Sequence, residues 1–317
     1  MTIRWFKTMA AVCTVAFLAA CGGGDDDPAP VAPAQRNIVQ VAQGNANLSI
    51  LVEAVVAADL ATTLSGTGPY TVFAPTDAAF ASLLAELGVT KAELLANRAL
   101  LTQVLTYHVL PARVPASAVP AGQAITTVEG GIFKIDAQAG GALVITDGRN
   151  REANITLTDV AASNGVIHVI DRVLLPANQD IVQTAQASAD FSVLVEAVVA
   201  ANLVPTLQGT GPFTVFAPTD AAFAALLAEL GVTKDALLAN TALLTEVLTY
   251  HVVPGRVLAA NVPVGTPITT VQGDTFSVNA SLAITDQRGR MANIVATDVL
   301  TSNGVIHVVD RVILPAS

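Results

Sequence analysis

The stretch Thr71 to His108 (TVFAPTDAAFASLLAELGVTKAELLANRALLTQVLTYH) returns as Thr214 to His251 with 33 of 38 positions unchanged. The five differences are Ser82/Ala225, Ala92/Asp235, Glu93/Ala236, Arg98/Thr241 and Gln103/Glu246. A copy 143 residues downstream makes the chain a tandem of two like domains, because matching sequences build matching supersecondary units.

Within the repeated stretch, Thr71-Val72-Phe73 suits a short strand, and Pro75 ends it by having no N–H to donate. Thr76 then caps a helix with Asp77 in its first turn. Phe80, Leu83, Leu84 and Leu87 give that helix one apolar stripe, and Gly88 closes it in a left-handed cap. Thr90 and Glu93 have capping-box spacing for the next helix; in the copy, Ala236 replaces the glutamate and only the Thr233 cap remains. A last helix runs from about Arg98 to Tyr107 with Leu100, Leu101, Val104 and Leu105 on one side, and His108 falls on or near that face. Upstream, 37–64 carries helical spacing, and Gly66-Thr67-Gly68-Pro69 turns it into the strand.

After His108 the texture changes to short alternating runs at 125–128, 133–135, 143–146, 155–157 and 166–174, with turn signals at Gly130-Gly131, Asp147-Gly148 and Asn164-Gly165. The offset between copies slips from 143 to 139 between Phe133 and Leu143, a four-residue deletion expected at a loop tip. Only Ala177 and Asn178 separate Pro176 from the next helical pattern, so the domains are joined by a short connection of limited freedom.

At these residues the chain resembles a fasciclin (FAS1) domain twice over. The family's first motif is similar to TVFAPTDAAF at 71–80 and 214–223, and its Tyr-His pair to Tyr107-His108 and Tyr250-His251. Its second motif resembles SNGVIHVIDRVLLP at 163–176 and SNGVIHVVDRVILP at 302–315. The resemblance implies a mixed α/β (α+β) fold class, with domains at 36–176 and 179–316, each a β-sandwich or wedge with packed helices. It also implies cell adhesion or matrix interaction. In animal members adhesion is attributed partly to the Tyr-His region and to an Asn-Lys-Asp-Ile-Leu-like segment. That segment aligns with Leu157-Thr158-Asp159-Val160-Ala161 and Ala296-Thr297-Asp298-Val299-Leu300. The aspartate is kept, valine replaces isoleucine and the Asn-Lys is gone. No Arg-Gly-Asp is present.

Residues 1–20 form a leader: Arg4 and Lys7 are basic, Thr8 to Ala20 is apolar, and Leu18-Ala19-Ala20-Cys21 resembles a bacterial lipoprotein box. The expectation is cleavage before Cys21 and lipidation of its thiol. Residues 21–35, rich in glycine, aspartate and proline, then act as a flexible tether. Gly22 after the cysteine, where aspartate would resemble an inner-membrane retention signal, points to the outer membrane or cell surface. Losing Arg4 and Lys7 leaves 15 − 2 = 13 basic against 25 acidic residues, a net charge near −12, which argues against nucleic acid as a partner. Cys13 leaves with the leader, so no disulfide forms within the mature chain.

Chemistry-bearing residues are sparse. The four histidines fall at matching places, His108 and His168 in one repeat, His251 and His307 in the other. A metal site needs three or four converging ligands, and mid-strand alternation sets His168 and Asp171 on opposite faces, favouring a hydrogen-bonded structural histidine. No Gly-x-Ser-x-Gly elbow appears, so neither an enzyme activity nor a cofactor or metal is expected. Tyr107, His108, Tyr250 and His251 are either contact residues or core residues whose polar tips satisfy the backbone. Asp159, Val160, Asp298 and Val299 are the other candidates carried over from the resemblance. Arg149, Arg151, Arg288 and Arg290 stand in two equivalent hairpins, either as solvated tips or as contacts whose guanidinium groups suit the carboxylates or sulfates of polysaccharide. The expected function is a lipid-anchored envelope protein contacting other surface proteins or polysaccharide; the alternative is a carrier of a small apolar ligand, which needs an enclosed apolar cavity.

Overall fold

The computed structural model describes residues 35–316. The leader, Cys21 and the tether up to Ala34 lie outside the described residues. The helical spacing over 37–64 resolves into three separate helices, α1 (Ile38–Gln43), α2 (Ser49–Ala57) and α3 (Ala61–Leu64). Capping explains the breaks. Asn37 and Gln40 form a capping box on α1, and Asn45 caps a 3-10 turn at Ala46–Leu48. Asp77 reaches back from the next helix to accept from the Ile50 N–H at 2.8 Å.

Repeat one continues with β1 (Tyr70–Pro75), α4 (Asp77–Leu87), α5 (Lys91–Ala96), α6 (Arg98–Tyr107), β2 (Val109–Leu110), β3 (Ala124–Thr126), β4 (Ile132–Ala137), β5 (Leu143–Thr146), β6 (Glu152–Ala162) and β7 (Gly165–Ile170). Thr76 caps α4, Gly88 ends it at φ 66°, and Thr90 with Glu93 forms the capping box on α5. Repeat two follows as α7 (Ile181–Gln186), α8 (Ser192–Ala200), α9 (Val204–Leu207), β8 (Phe213–Pro218), α10 (Asp220–Leu230), α11 (Lys234–Ala239), α12 (Thr241–Tyr250), β9 (Val252–Pro254), β10 (Pro267–Thr269), β11 (Thr275–Val278), β12 (Ala283–Thr285), β13 (Met291–Thr301) and β14 (Gly304–Val309).

Each repeat has one seven-stranded sheet, ordered β2-β1-β7-β6-β5-β4-β3 in the first and symmetrically in the second. β1 and β7 are parallel at its heart, and every residue of β7 is buried, which is why that strand reads as a continuous apolar run. β6 is shared: Glu152–Asn154 pair with β5, while 155–162 pair with β7 through two register shifts. The sheet bends there into a wedge. One apolar core lies between the sheet and the helices, with Leu51, Phe80, Leu101 and Val169 among its members; a second, around Phe73, Tyr107, Phe133 and Ile145, fills the wedge.

The run expected as strand over 166–174 stops at Ile170. Beyond it the backbone leaves the ladder to donate to side chains, Leu174 N–H to His108 Nε2 at 2.9 Å and Leu175 N–H to Asp147 Oδ2 at 2.9 Å.

The two repeats meet through unlike faces. Ile132 of β4 packs with Leu258, Leu300 and Val305 of repeat two. Asn150 grips the backbone of β13, donating to Leu300 O at 3.0 Å and accepting from Leu300 N–H at 2.6 Å. Lys134 pairs with Asp298 at 3.2 Å, both side chains largely buried. The connector passes so close over Gly148 that a Cβ there would stand 2.3 Å from Ala177 N.

Candidate functional site

Tyr107 and His108 end α6 and point inward. The Tyr107 hydroxyl donates to Ile132 O and accepts from Gly148 N–H, and its ring meets Phe133 edge-on at 5.9 Å. His108 Nδ1 lies 2.7 Å from Val104 O, while Nε2 accepts from Leu174 N–H. That pairing fixes the neutral tautomer with the proton on Nδ1. Burial holds the His108 imidazole down to about 4, against an ordinary 6.5. His251 repeats the arrangement with Val247 O and Ile313 N–H, and burial lowers it to about 4 too. Burial raises both tyrosines, Tyr250 to about 12. Of the two roles open to these four residues, the geometry gives the core one: they are fully buried and present no surface to a partner.

Asp159 and Asp298 sit at the irregularity of β6 and β13, each with positive φ, 60° and 62°. A hydrogen-bond circuit holds the bend. Asp159 N–H donates to His168 Nδ1 at 3.3 Å, His168 Nε2–H donates to Val114 O at 2.9 Å, and Ala116 N–H donates to Asp159 Oδ1 at 2.9 Å. Both nitrogens of His168 are thus committed to the backbone. Asp298, His307, Val257 and Ala259 repeat the circuit. Among the described residues no group of three or more histidine, cysteine or carboxylate side chains is placed to hold a metal ion.

The second oxygens differ. Asp298 Oδ2 receives Lys134 across the repeat interface, so Asp298 is closed off and Val299 beside it is half-buried. Asp159 is exposed and Val160 half-buried, with Leu157 open beside them. Burial opposes the charge on Lys134, but Asp298 and Asp136 outweigh it and hold the ammonium above its usual value. Burial depresses His307, with Lys134 adding to the effect.

The four hairpin arginines divide into two kinds. Arg151 is not a solvated tip: it pairs with Asp147 at 2.8 Å and Glu86 at 3.0 Å and donates to Val173 O at 2.8 Å. Arg290 is likewise largely buried, against Glu229 at 3.4 Å and Val312 O at 3.3 Å. Both clamp the hairpin to the helix layer, so neither stands as a free hairpin tip. Arg149 and Arg288 are exposed, each tethered through Nε to a carbonyl, Pro176 O at 3.4 Å and Pro315 O at 3.1 Å. The candidates left at the surface are therefore Asp159 in repeat one, and Arg149 and Arg288 in both, with Val160 and Val299 equally half-buried. Sequence spacing could not separate Arg149 from Arg151, because Glu86 and Val173 arrive from distant parts of the chain.

Fold and site together define a two-module protein of mixed α/β class, each module a bent seven-stranded sheet under a helical layer. The family model of the fasciclin domain matches residues 46–176 and 189–315, and the chain belongs to that family. It is 31% identical over 256 residues to the pig transforming growth factor-beta-induced protein ig-h3, covering 80% of this chain and 36% of that one. It is 44% identical over 150 residues to protein sll1483 of Synechocystis, covering 46% and 79%. To the immunogenic protein MPB70 of Mycobacterium bovis it is 44% identical over 118 residues, covering 36% and 55%. Among solved structures, a FAS1 domain pair from the insect cell adhesion molecule fasciclin I is similar at TM-score 0.42 and 19% identity, covering 83% of this chain and 95% of that one. Among the described residues no helix is long and apolar enough to cross a membrane.

Proposed function

We propose that this chain is an envelope-tethered adhesion or matrix-interaction protein. Its anchor is a lipidated Cys21 left by removal of residues 1–20, and the spacer up to residue 35 holds the modules off the outer membrane. Its partners are other surface proteins or polysaccharide, met through two coupled fasciclin modules. The observation that carries this reading is the asymmetry at the bend: the Asp298 copy is spent on joining the modules, while the Asp159 copy stands open beside exposed Leu157. An apolar residue beside an exposed carboxylate at a hydrogen-bonded bend is suited to protein contact.

Cell or matrix binding by the purified described region, residues 35–316, tests it. Asp159→Lys should lower binding at least tenfold, whereas Arg149→Ala with Arg288→Ala should lower binding to acidic polysaccharide and make the remainder insensitive to salt. Binding unchanged in both variants would remove these surfaces from consideration. The anchor is checked apart, by intact mass of membrane-extracted protein: a mass lacking residues 1–20 and carrying acyl chains is expected, and an unlipidated mass ends that reading.

A further inference from the structure

In each repeat the helical layer leaves an apolar pocket under an exposed arginine. In repeat one, α4, α5 and α6 line it through Phe80, Leu83, Leu94, Leu101 and Val104, with Arg149 at its edge. In repeat two the matching residues of α10, α11 and α12 do so, with Arg288 at the edge. The cavities hold about 170 and 130 Å³. An apolar cavity of roughly 150 Å³ is large enough to take a benzene-sized guest. The pockets open to solvent beside Leu87 and Leu230, which are 40% and 44% exposed.

The arginine supplies the polar end. Its Nε is tethered to Pro176 O or Pro315 O, one residue beyond Leu175 or Leu314 in the pocket wall. Among the described residues neither Arg149 nor Arg288 takes part in an ion pair, in contrast to Arg151 and Arg290 two residues on. A guanidinium held at the rim of an apolar pocket, with no carboxylate of the protein to meet, complements an anion carrying an apolar body.

We infer that each repeat binds one short apolar carboxylate, its chain in the pocket and its carboxylate on Arg149 or Arg288. The inference shares Arg149 and Arg288 with the polysaccharide contact proposed above but does not use Asp159, and the pocket-methyl shifts with hexanoate separate its failure from a failure of that contact. All ten lining positions are identical between the repeats, so the two sites are equivalent in kind.

The probe is hexanoate, titrated into the described region, residues 35–316, and followed by calorimetry and by leucine and valine methyl resonances. Two molecules should bind per chain, with shifts confined to pocket methyls such as those of Leu83, Leu87, Leu226 and Leu230. Hexanamide, with the same chain and no charge, should bind at least tenfold more weakly, and acetate should move no pocket methyl. Arg149→Gln or Arg288→Gln should each reduce the stoichiometry to one. Leu100→Phe, which fills the first pocket and leaves the arginine in place, should also remove one site. The inference is overturned if millimolar hexanoate leaves the pocket methyls unmoved. It is equally overturned if hexanamide binds as well as hexanoate, or if the folded arginine variants keep both sites.

Discussion

The bend at Asp159 and the bend at Asp298 are held by the same hydrogen-bond circuit of aspartate, histidine, valine and alanine, yet one faces solvent and the other lies under the neighbouring repeat. The difference is made elsewhere. On the donating face repeat one has Ile132, Lys134 and Asn150, where repeat two has Thr275, Ser277 and Gly289. On the receiving face repeat two has Leu258 and Leu300, where repeat one has Pro115 and Ala161. Head-to-tail contact between like modules can in principle continue indefinitely. Here the outer faces lack the lysine, the asparagine and the two leucines that make the inner contact, so the same joint is not offered again at either end. Divergence between the copies marks the joint, while identity is kept at all ten positions of the Arg-rimmed pockets.

The largest effect should come from what the repeats share. His108 and His251 are neutral when folded and have values depressed from 6.5 to about 4. The unfolded chain takes up a proton at each site below about 6.5, and the folded chain refuses it until about 4. Stability is therefore fully present above the unfolded value and is lost as pH falls through this window, by roughly 3 kcal/mol per histidine. Denaturant unfolding between pH 7 and pH 4.5 should show both repeats weakening together. Loss confined to one repeat would break the equivalence of the two cores.

Next comes the joint. Leu300→Ala gives repeat two the residue that repeat one carries at Ala161 and opens a void beside Ile132 and Val305, at a cost of about 2–4 kcal/mol. Calorimetry should then separate one cooperative transition into two. A single unshifted transition would show that the modules are not coupled through this contact.

A smaller effect isolates the ion pair. Lys134→Ser imposes the repeat-two residue on repeat one and leaves the Asp298 carboxylate without its partner, for an expected loss of about 1–3 kcal/mol. Ser277→Lys, the reverse exchange on the uncovered face, should change stability by less than about 0.5 kcal/mol. Equal effects from the two variants would dissolve the distinction between inner and outer faces.

Much of this was legible in advance. The repeat announced two domains, and local chemistry announced the caps at Thr76, Gly88 and Thr90, because a cap depends on neighbours within a few residues. The strand after Asn164 was legible in its start but not in its end. His108 and Asp147 draw the backbone off the ladder at Leu174 and Leu175, and both come from distant segments. The candidate site was legible as a roll of residue types only. Tyr107 and Asp159 are both polar candidates, and nothing local says that one is core and the other surface.

The sequence by itself determined that the fold is made twice, from which motifs, with few groups suited to catalysis. Those properties are read from the chain's likeness to itself and to a family, and from local periodicity, capping and composition, none of which depends on how the modules dock. Which copy of a residue is covered was decided by tertiary structure alone. Lys134 and Asp298 are 164 residues apart, and Asn150 and Leu300 are 150 apart. Contacts at such separations depend on how two finished modules dock, and docking answers to the shape and charge of whole faces.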